Sequence, residues 1–224
     1  KPQNSWSQLL MGTYFEQEKT LDAARVAEAM LAKNPDDKST LMNLSSIYAQ
    51  ADMYDKAAEV LEKARTKGML TEERDWRQLY AIYLNSEGKE ANGIEVINDG
   101  LQKGILKPSS DLYIALGQAY YFTDKIDESI DAYRKSLPLA KDGEPALNLA
   151  RVLTNEEDYA GAKSAAQEAL KKGVKKPGDA WMVIGRAEFG LENRAGLIAA
   201  YKEAAKYPET AQQANEWLRR NGGK

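Results

Sequence analysis

The residues of this chain that could do chemistry are carboxylates, arginines and amides, because its 224 residues include no histidine and no cysteine. Ser-His-Asp and Cys-His catalysis are therefore excluded, and the usual zinc ligands are missing. Asp and Glu could still act as general acid and base. No carboxylate pair stands out from the surface acids, however, and the sequence has no phosphate-binding loop or metal-binding motif. We therefore expect no catalysis, no cofactor and no metal.

Charge and hydropathy narrow the classes of partner. The 34 acidic and 31 basic residues give a formal net charge of -3, which does not fit the basic footprint of a nucleic-acid-binding protein. No apolar run is long enough to span a bilayer, and no signal peptide opens the sequence. The chain begins at Lys1, so we expect a processed or excised chain. The lack of cysteine suits both the periplasm and the cytosol.

The elements that must position these residues follow a motif that recurs about every 35 residues. Residues 116–133 carry Leu-Gly-x-x-Tyr and then Ser-x-x-x-Tyr, and 181–201 carry a similar pattern. Apolar residues within each unit keep helical spacing, and a period of this size is typical of a solenoid. The sixth unit departs from the pattern, with Glu188 at the bulky position and Leu197 at the small one. The small positions are Ala23, Ala57, Gly93, Ser129, Ala162 and Leu197.

Glycines mark both the ends and the weak points of the predicted helices. Three units end in Lys-Gly-apolar, at Gly68, Gly104 and Gly173, where a left-handed residue would close the helix. The third unit also has Gly93 and Gly100 inside its second helix, and glycine costs about 1 kcal/mol there relative to alanine. We therefore expect the third unit to be the least regular and the softest.

Six such motifs in register resemble the tetratricopeptide repeat family over residues 5–208. This resemblance implies an all-α fold, a right-handed α-α superhelix of six helix pairs plus a C-terminal capping helix, in one array over residues 1–224. We expect Trp217 to anchor the cap, which hides the exposed face of the last repeat. The expected repeats are 5–37, 38–71, 72–108, 109–142, 143–177 and 178–208, with the capping helix at 209–220.

In that family the first helices line a concave groove that binds peptides or extended protein segments. The resemblance therefore implies a non-catalytic scaffold, and the groove-facing positions include three arginines that could bind carboxylates. We expect a protein or peptide ligand, acidic or neutral, and no nucleic acid. The candidate groove residues are Phe15, Gln50, Arg77, Asn85, Gln118, Tyr121, Phe122, Arg151, Asn155, Arg186 and Phe189.

Several of these positions have a structural alternative. Tyr120 is expected in the core and Tyr121 on the groove, but Tyr121 and Phe122 could equally pack inside. The arginines could be solvated or paired with neighbouring repeats. A clamp for a C-terminal carboxylate, known from co-chaperones of the family, is not expected. Gln8 and Gly12 stand where that clamp needs Lys and Asn, and Asn43 matches alone.

A narrower resemblance bears on the cellular location of the protein and on its partner. The Lys-Gly-apolar ends, the Leu-Gly repeats and the Trp217 helix are similar to tetratricopeptide proteins encoded beside TonB-type energy-transduction systems. That resemblance implies an exported, periplasmic protein of a Gram-negative bacterium and a partner in an envelope assembly. The alternatives are a cytoplasmic protein, and a regulatory or adaptor segment of a longer polypeptide with an enzyme or membrane domain elsewhere. The sequence does not predict the oligomeric state.

Overall fold

A computed structural model describes residues 2–17 and 19–221, except for the side chains of residues 2–5 and Phe15. All regular structure in these residues is helical, which confirms the predicted all-α fold of six helix pairs and a capping helix. The helices are α1 (Pro2–Glu16), α2 (Thr20–Lys33), α3 (Lys38–Gln50), α4 (Tyr54–Thr66), α5 (Glu73–Leu84), α6 (Glu90–Gln102), α7 (Ser110–Phe122), α8 (Ile126–Ser136), α9 (Glu144–Asn155), α10 (Tyr159–Lys172), α11 (Pro177–Gly190), α12 (Arg194–Ala204) and α13 (Ala211–Asn221).

The chain divides into two compact units, Lys1–Lys107 and Pro108–Lys224. Unit 1 contains three helix pairs, α1 to α6, and unit 2 contains three pairs and the single helix α13. A short 3₁₀ helix, Leu137–Leu139, follows α8 in unit 2. The exact repeat boundaries stay a prediction.

Small buried residues allow the helices of a pair to approach closely. Ala23, Ala57 and Ala162 have no exposed surface, as expected for the small position of the motif. Ser129 takes this position in the fourth pair, and its hydroxyl donates a 2.7 Å hydrogen bond to the backbone oxygen of Gly117. Because the hydroxyl is fully buried, this bond satisfies a group that would otherwise destabilise the core.

The Leu-Gly element of the motif makes room for a tyrosine ring. A Cβ atom at Gly117 would lie 2.9 Å from the ring of Tyr133, and one at Gly185 would lie 2.5 Å from the ring of Tyr201. Both distances are too short for any real side chain, so each tyrosine packs directly on the helix backbone. The two pairs share one spacing, since the tyrosine follows its glycine by sixteen positions.

The turns within four helix pairs contain a left-handed residue that the sequence did not reveal. The φ angles of Asp52, Asp124, Glu157 and Glu192 lie between 57° and 60°. This conformation is costly for a residue with a Cβ atom, by roughly 1–2 kcal/mol. Four carboxylate residues therefore carry strain at equivalent turns.

The glycines that end three of the second helices all have positive φ angles, at 70° for Gly68, 68° for Gly104 and 89° for Gly173. Gly173 differs from the predicted left-handed conformation because its ψ angle is 126°. The amides of Met69 and Ile105 then donate to carbonyl oxygens of the last helical turn, at 2.9 Å and 3.0 Å. The predicted helix ends are therefore confirmed at these positions.

The third pair is closely packed at its two helical glycines. Gly93 and Gly100 are buried, and a Cβ atom there would lie 2.5 Å from Leu84 and 2.6 Å from Leu106. These glycines therefore permit α6 to contact apolar side chains of its own repeat. The predicted softness of this repeat stays a prediction.

Helix α13 covers the end of unit 2. Its Trp217 ring packs on Tyr201, with centroids 4.4 Å apart, and Ala214 lies in a core cluster with Met182 and Leu197. The predicted anchoring role of Trp217 is therefore confirmed. Leu197 packs in the same cluster, which explains how a large residue fits at the small position of the sixth repeat.

Candidate functional site

The first helices of the last two repeats form a polar cleft in unit 2. The cleft has a volume of about 350 Å³ and opens between α9, α11 and the capping helix α13. Its side chains include two hydroxyls, two amides and charges of both signs, which can donate and accept hydrogen bonds. The residues that define the polar cleft are Arg151, Thr154, Asn155, Asp179, Met182, Val183, Arg186, Glu209, Thr210 and Gln213.

A second depression, the aromatic pocket, adjoins the polar cleft. It has a volume of about 330 Å³ and shares Thr154 and Arg186 with the cleft. Four aromatic rings line it, and one of them, Phe189, is 72% exposed. The residues that define the aromatic pocket are Thr154, Tyr159, Gly185, Arg186, Phe189, Leu197, Tyr201 and Trp217.

Two glycines of α11 shape the aromatic pocket. Gly185 accommodates the ring of Tyr201, and Gly190 accommodates the ring of Tyr159, because a Cβ atom at Gly190 would lie 2.3 Å from that ring. The two tyrosines therefore approach α11 from two different helices, α10 and α12. Replacing either glycine would move a wall of the pocket without removing a polar group.

Arg186 lies where the polar cleft and the aromatic pocket meet. Its side chain is exposed, and it makes no hydrogen bond or ion pair with the residues that the structure describes. Burial raises the pKa of the Tyr201 hydroxyl in the same pocket, and the positive charge of Arg186 opposes that rise. A guanidinium group with free donors is suited to bind a carboxylate in two-point geometry.

Arg151, the other arginine of the polar cleft, is already partly engaged. Its guanidinium lies 3.0 Å from the carboxylate of Asp179 and donates to Asn148 at 3.2 Å. The pair links α9 to α11 across the cleft. The sequence left open whether this arginine is solvated or paired with a neighbouring repeat, and the structure shows it paired. Because Arg151 already has a partner, Arg186 is the better candidate for a ligand contact.

The structure brings four of the predicted groove residues of unit 2 together. Arg151, Asn155 and Arg186 lie in the polar cleft, and Phe189 lies in the adjoining pocket. Phe122 is 64% exposed, as the groove prediction requires, and Gln118 is exposed too. Both of these residues belong to α7 and lie outside the two depressions.

Tyr121 differs from its prediction. It is half-buried against the core of unit 2, and its hydroxyl accepts a 2.7 Å hydrogen bond from the amide of Asn155. Tyr120, expected in the core, is half-buried as well. The predicted contrast between a buried Tyr120 and an outward Tyr121 is therefore wrong, because the ring of Tyr121 packs towards the next repeat.

Unit 1 has a cleft of its own, with a volume of about 470 Å³, between α3 and α5. Gln78 donates from its amide to the backbone oxygen of Met42 at 3.0 Å and to the hydroxyl of Ser46 at 2.9 Å. The amide is therefore used to join the two helices. The residues that define the unit 1 cleft are Lys38, Ser39, Met42, Asn43, Ser46, Glu72, Arg74 and Gln78.

Arg77, predicted to line the groove, is paired within its own helix. Its guanidinium lies 2.7 Å and 2.9 Å from the carboxylate of Glu73, one helical turn earlier, and it also contacts the hydroxyl of Tyr80. Arg74 and Gln78, which are four positions apart on α5, face the unit 1 cleft instead. The groove assignment of Arg77 stays a prediction.

The other predicted residues of unit 1 lie away from this cleft. Gln50 is exposed at the end of α3, and Asn85 is exposed with its amide bound to the oxygen of Ala81 at 2.7 Å. The side chain of Phe15 lies outside the described part of the structure. The predicted residues of unit 1 with described side chains therefore belong to α3 and α5 or to the end of α5, but none of them lines this cleft.

Some residues of the site were missed from the sequence. Gln213 lies on the capping helix and Tyr159 on a second helix, whereas the prediction considered first helices only. Asp179 was missed because its role depends on the position of Arg151 in the preceding repeat. The amphipathic pattern of residues 209–220 was the available signal for Gln213, because it marks which face of that helix is polar.

Comparison with known proteins identifies the repeat. Models described as "Tetratricopeptide repeat" match residues 14–81, 110–142 and 147–217, which together are more than half of the chain. The chain belongs to the tetratricopeptide repeat family, a class that typically serves protein interaction. No curated protein sequence matches the chain.

Solved structures of low sequence identity share the fold. The C-terminal part of a tetratricopeptide-repeat-containing protein from Cytophaga hutchinsonii matches with a TM-score of 0.75 and 16% identity, over 93% of this chain and 85% of that one. YrrB, described as having an unusual peptide-binding site, gives 0.67 and 15%, over 88% and 99%. PilW, described as a type IV pilus biogenesis factor, gives 0.62 and 12%, over 91% and 92%.

No helix among the residues that the structure describes has both the length and the apolar character needed to cross a membrane. Among the same residues, no group of three or more Asp or Glu side chains is arranged to hold a metal ion.

Proposed function

We propose that this chain is a non-catalytic scaffold that holds an extended protein segment in the polar cleft of unit 2. The observation that carries the proposal is the exposed guanidinium of Arg186, which has no partner among the described residues and stands between a hydrogen-bonding cleft and an aromatic pocket. Arginine and aromatic residues are the types enriched at binding hot spots.

The polar side chains of the cleft suit a peptide backbone. Gln213 carries an amide that both donates and accepts. Asn155 already donates to Tyr121 and keeps its oxygen and one N–H, and Thr154 donates to a backbone oxygen of its own helix and keeps an acceptor oxygen. Such groups can pair with backbone amides and carbonyls whatever the ligand sequence is. The unpaired charge of Arg186 favours an acidic segment over a basic one, because like charges across an interface are repelled.

A peptide array tests this function. The wild-type chain should bind a subset of immobilised peptides enriched in Asp and Glu, and Arg186→Glu should lose most of that binding because a repulsive charge replaces an attractive one. Arg219→Glu is the matched control, since Arg219 is an exposed arginine of α13 outside both depressions. Equal loss in the control variant, or no peptide binding by the wild-type chain, would overturn the proposal.

We further propose a periplasmic location and a partner in a bacterial envelope assembly. The support is the sequence resemblance to tetratricopeptide proteins that accompany TonB-type systems, together with a distant likeness of fold to a type IV pilus biogenesis factor. Fractionation of the source organism with an antibody to this chain tests the location. Recovery of the full-length protein with cytoplasmic markers would contradict it.

A further inference from the structure

The aromatic pocket and Arg186 together define which segment the site selects. We propose that unit 2 recognises an acidic residue and an aromatic residue two positions apart, in an extended segment. The acidic side chain pairs with Arg186, and the aromatic side chain enters the pocket beside Phe189. This inference rests on the proposed function and adds the chemistry and the spacing of the ligand.

Charge complementarity identifies the acidic partner. Arg151, the second arginine of the cleft, is compensated by Asp179 at 3.0 Å, whereas the Arg186 guanidinium is uncompensated among the described residues. A carboxylate that binds Arg186 would therefore not compete with an internal partner. Two parallel hydrogen bonds between guanidinium and carboxylate also orient the carboxylate in the plane of the guanidinium.

The pocket beside Arg186 suits a flat ring. Tyr159, Phe189, Tyr201 and Trp217 line it, and most of Phe189 is exposed although the residue is large and apolar. Aromatic rings prefer offset or edge-to-face contacts with other rings, and four rings around one depression offer several such contacts. Tyr201 and Trp217 already pack on each other, so that wall is formed in the absence of ligand.

Helix geometry sets the spacing of the ligand residues. Arg186 and Phe189 are three positions apart on α11, so their Cβ atoms lie on one face, about 5–6 Å apart. In an extended strand, side chains at positions i and i+2 point to the same side and are about 6.6 Å apart. Adjacent residues of a strand point to opposite sides. An acidic-x-aromatic order therefore matches the site, and an acidic-aromatic order does not.

The glycine at position 190 gives the pocket its shape without contacting the ligand. The ring of Tyr159 occupies the space that a Cβ atom at this position would need. Gly190 is therefore a positioning residue for that wall. A methyl group there would displace Tyr159 and should weaken the binding of the aromatic side chain alone.

Four short peptides, acetylated, amidated and labelled with a fluorophore, test the motif by fluorescence anisotropy. The parent peptide contains Asp-Ala-Phe between Gly-Ser flanks, and the others replace this core with Asn-Ala-Phe, Asp-Ala-Ala or Asp-Phe-Ala. We expect the parent to bind most tightly and each change to weaken binding by about tenfold or more, the effect of losing one charged or one aromatic contact.

Variants of the protein assign each effect to a residue. Arg186→Gln should lower the affinity for the parent peptide about tenfold. It should leave the affinity for the Asn-Ala-Phe peptide unchanged, because that peptide has no carboxylate to pair with Arg186. Phe189→Ala should lower the affinity for the parent peptide but not for the Asp-Ala-Ala peptide. Gly190→Ala should have the same selective effect, with a smaller loss of affinity for the parent peptide. Trp6→Ala is the control, since Trp6 is a similarly exposed aromatic residue that lies outside the pocket and is not a candidate groove residue. Circular dichroism of each variant verifies the fold.

The outcomes separate this inference from the proposed function. If array-selected acidic peptides bind and lose affinity with Arg186→Glu, but the Asp-Phe-Ala order binds as well as Asp-Ala-Phe, the scaffold function stands and the motif is wrong. Equal effects of Trp6→Ala and Phe189→Ala would also overturn the motif. If no peptide binds the wild-type chain, both the scaffold function and the ligand motif are wrong.

Discussion

At the residue scale, Glu188 is a carboxylate buried within a helix that otherwise contributes apolar residues to the core. It is 5% exposed, it pairs with Lys163 at 2.8 Å, and it accepts a hydrogen bond from the amide of Asn193 at 2.9 Å. These partners come from α10 and from the turn after α11. The carboxylate therefore ties two repeats together where other repeats use an aromatic ring or leucine.

Replacing Glu188 by alanine should destabilise the protein by about 1–3 kcal/mol, because the amide of Asn193 and the ammonium of Lys163 would lose their partner. Urea unfolding followed by circular dichroism measures the change. Glu168→Ala is the control, since Glu168 is exposed on α10 and should change stability by no more than about 0.5 kcal/mol. Equal stability of the two variants would show that the buried pairing contributes nothing.

Side-chain contacts between repeats explain why the candidate groove residues were only partly predictable from the sequence. A repeat period places a residue on a helix face, but side-chain pairing depends on contacts from the next repeat. Tyr121 is bound by Asn155, which follows it by 34 positions, and Arg151 is bound by Asp179. Arg186 and Phe189 are exposed, as their predicted groove positions require, and their binding role stays a prediction.

At the element scale, the helix pairs are closed by turns with strained carboxylate residues. Glu157 and Glu192 have φ angles of 60° and 58°, a conformation that glycine adopts without a Cβ clash. The sequence indicated short polar turns at these places, because charged residues cluster there. It did not reveal the left-handed residue, because Asp and Glu have no preference strong enough to mark it.

Substituting Glu157 by glycine should therefore stabilise the protein, by up to about 1 kcal/mol, since the relief of strain exceeds the extra freedom of glycine in the unfolded chain. Thermal unfolding of the variant should show a higher midpoint. Ala199→Gly is a control with the opposite expected sign. Ala199 is exposed within α12, so its replacement by glycine should lower the free energy of unfolding by about 1 kcal/mol. If Glu157→Gly unfolds at a lower temperature than the wild type, the contacts of the Glu157 side chain stabilise the fold by more than its backbone strain destabilises it.

The capping helix is a second element with a measurable contribution. Trp217 packs on Tyr201 and is half-buried, so Trp217→Ala should destabilise unit 2 by about 2 kcal/mol, less than the roughly 3 kcal/mol or more typical of a fully buried ring. Trp6→Ala serves as the comparison, because Trp6 is 70% exposed. Denaturant unfolding should separate the two variants clearly, and equal midpoints would remove the anchoring role of Trp217.

At the scale of the whole molecule, the fold was predictable because one pattern repeats six times. Repeats of a solenoid pack on their neighbours, so small residues at intervals of 33 to 36 positions are enough to assign the helix pairs from the sequence. The division at Lys107 was not predictable, because no break in that period marks it. The ligand site also depends on α13, which lies outside the repeat.

Stability at high pH should reflect the buried tyrosines of both units. Burial raises the pKa of Tyr133 to about 12, and burial with a hydrogen bond to Glu28 raises that of Tyr48 to about 12. An unfolded tyrosine titrates near pH 10, so the folded state favours the protonated form. This contribution is complete below pH 10 and is lost as the pH rises from 10 through 12.

Tyr133→Phe isolates one of these groups. It keeps the ring on Gly117 but removes the ionisable hydroxyl, so its unfolding free energy should fall less steeply than that of the wild type between pH 10 and 12. Urea unfolding at several pH values gives both slopes, and the lysines titrate alike in the two proteins. Identical slopes would show that Tyr133 is not protected in the folded state.

The contact of a tyrosine ring with a bare helix backbone restricts how this sequence can diverge. At positions 185 and 201, a side chain larger than hydrogen on one helix is tolerated only if the opposite ring becomes smaller. The same holds at 117 and 133. These positions should therefore vary together among related chains, and drift in either one alone should be removed by selection. Because Tyr201 also forms a wall of the aromatic pocket, such paired changes would alter ligand preference while the fold persists.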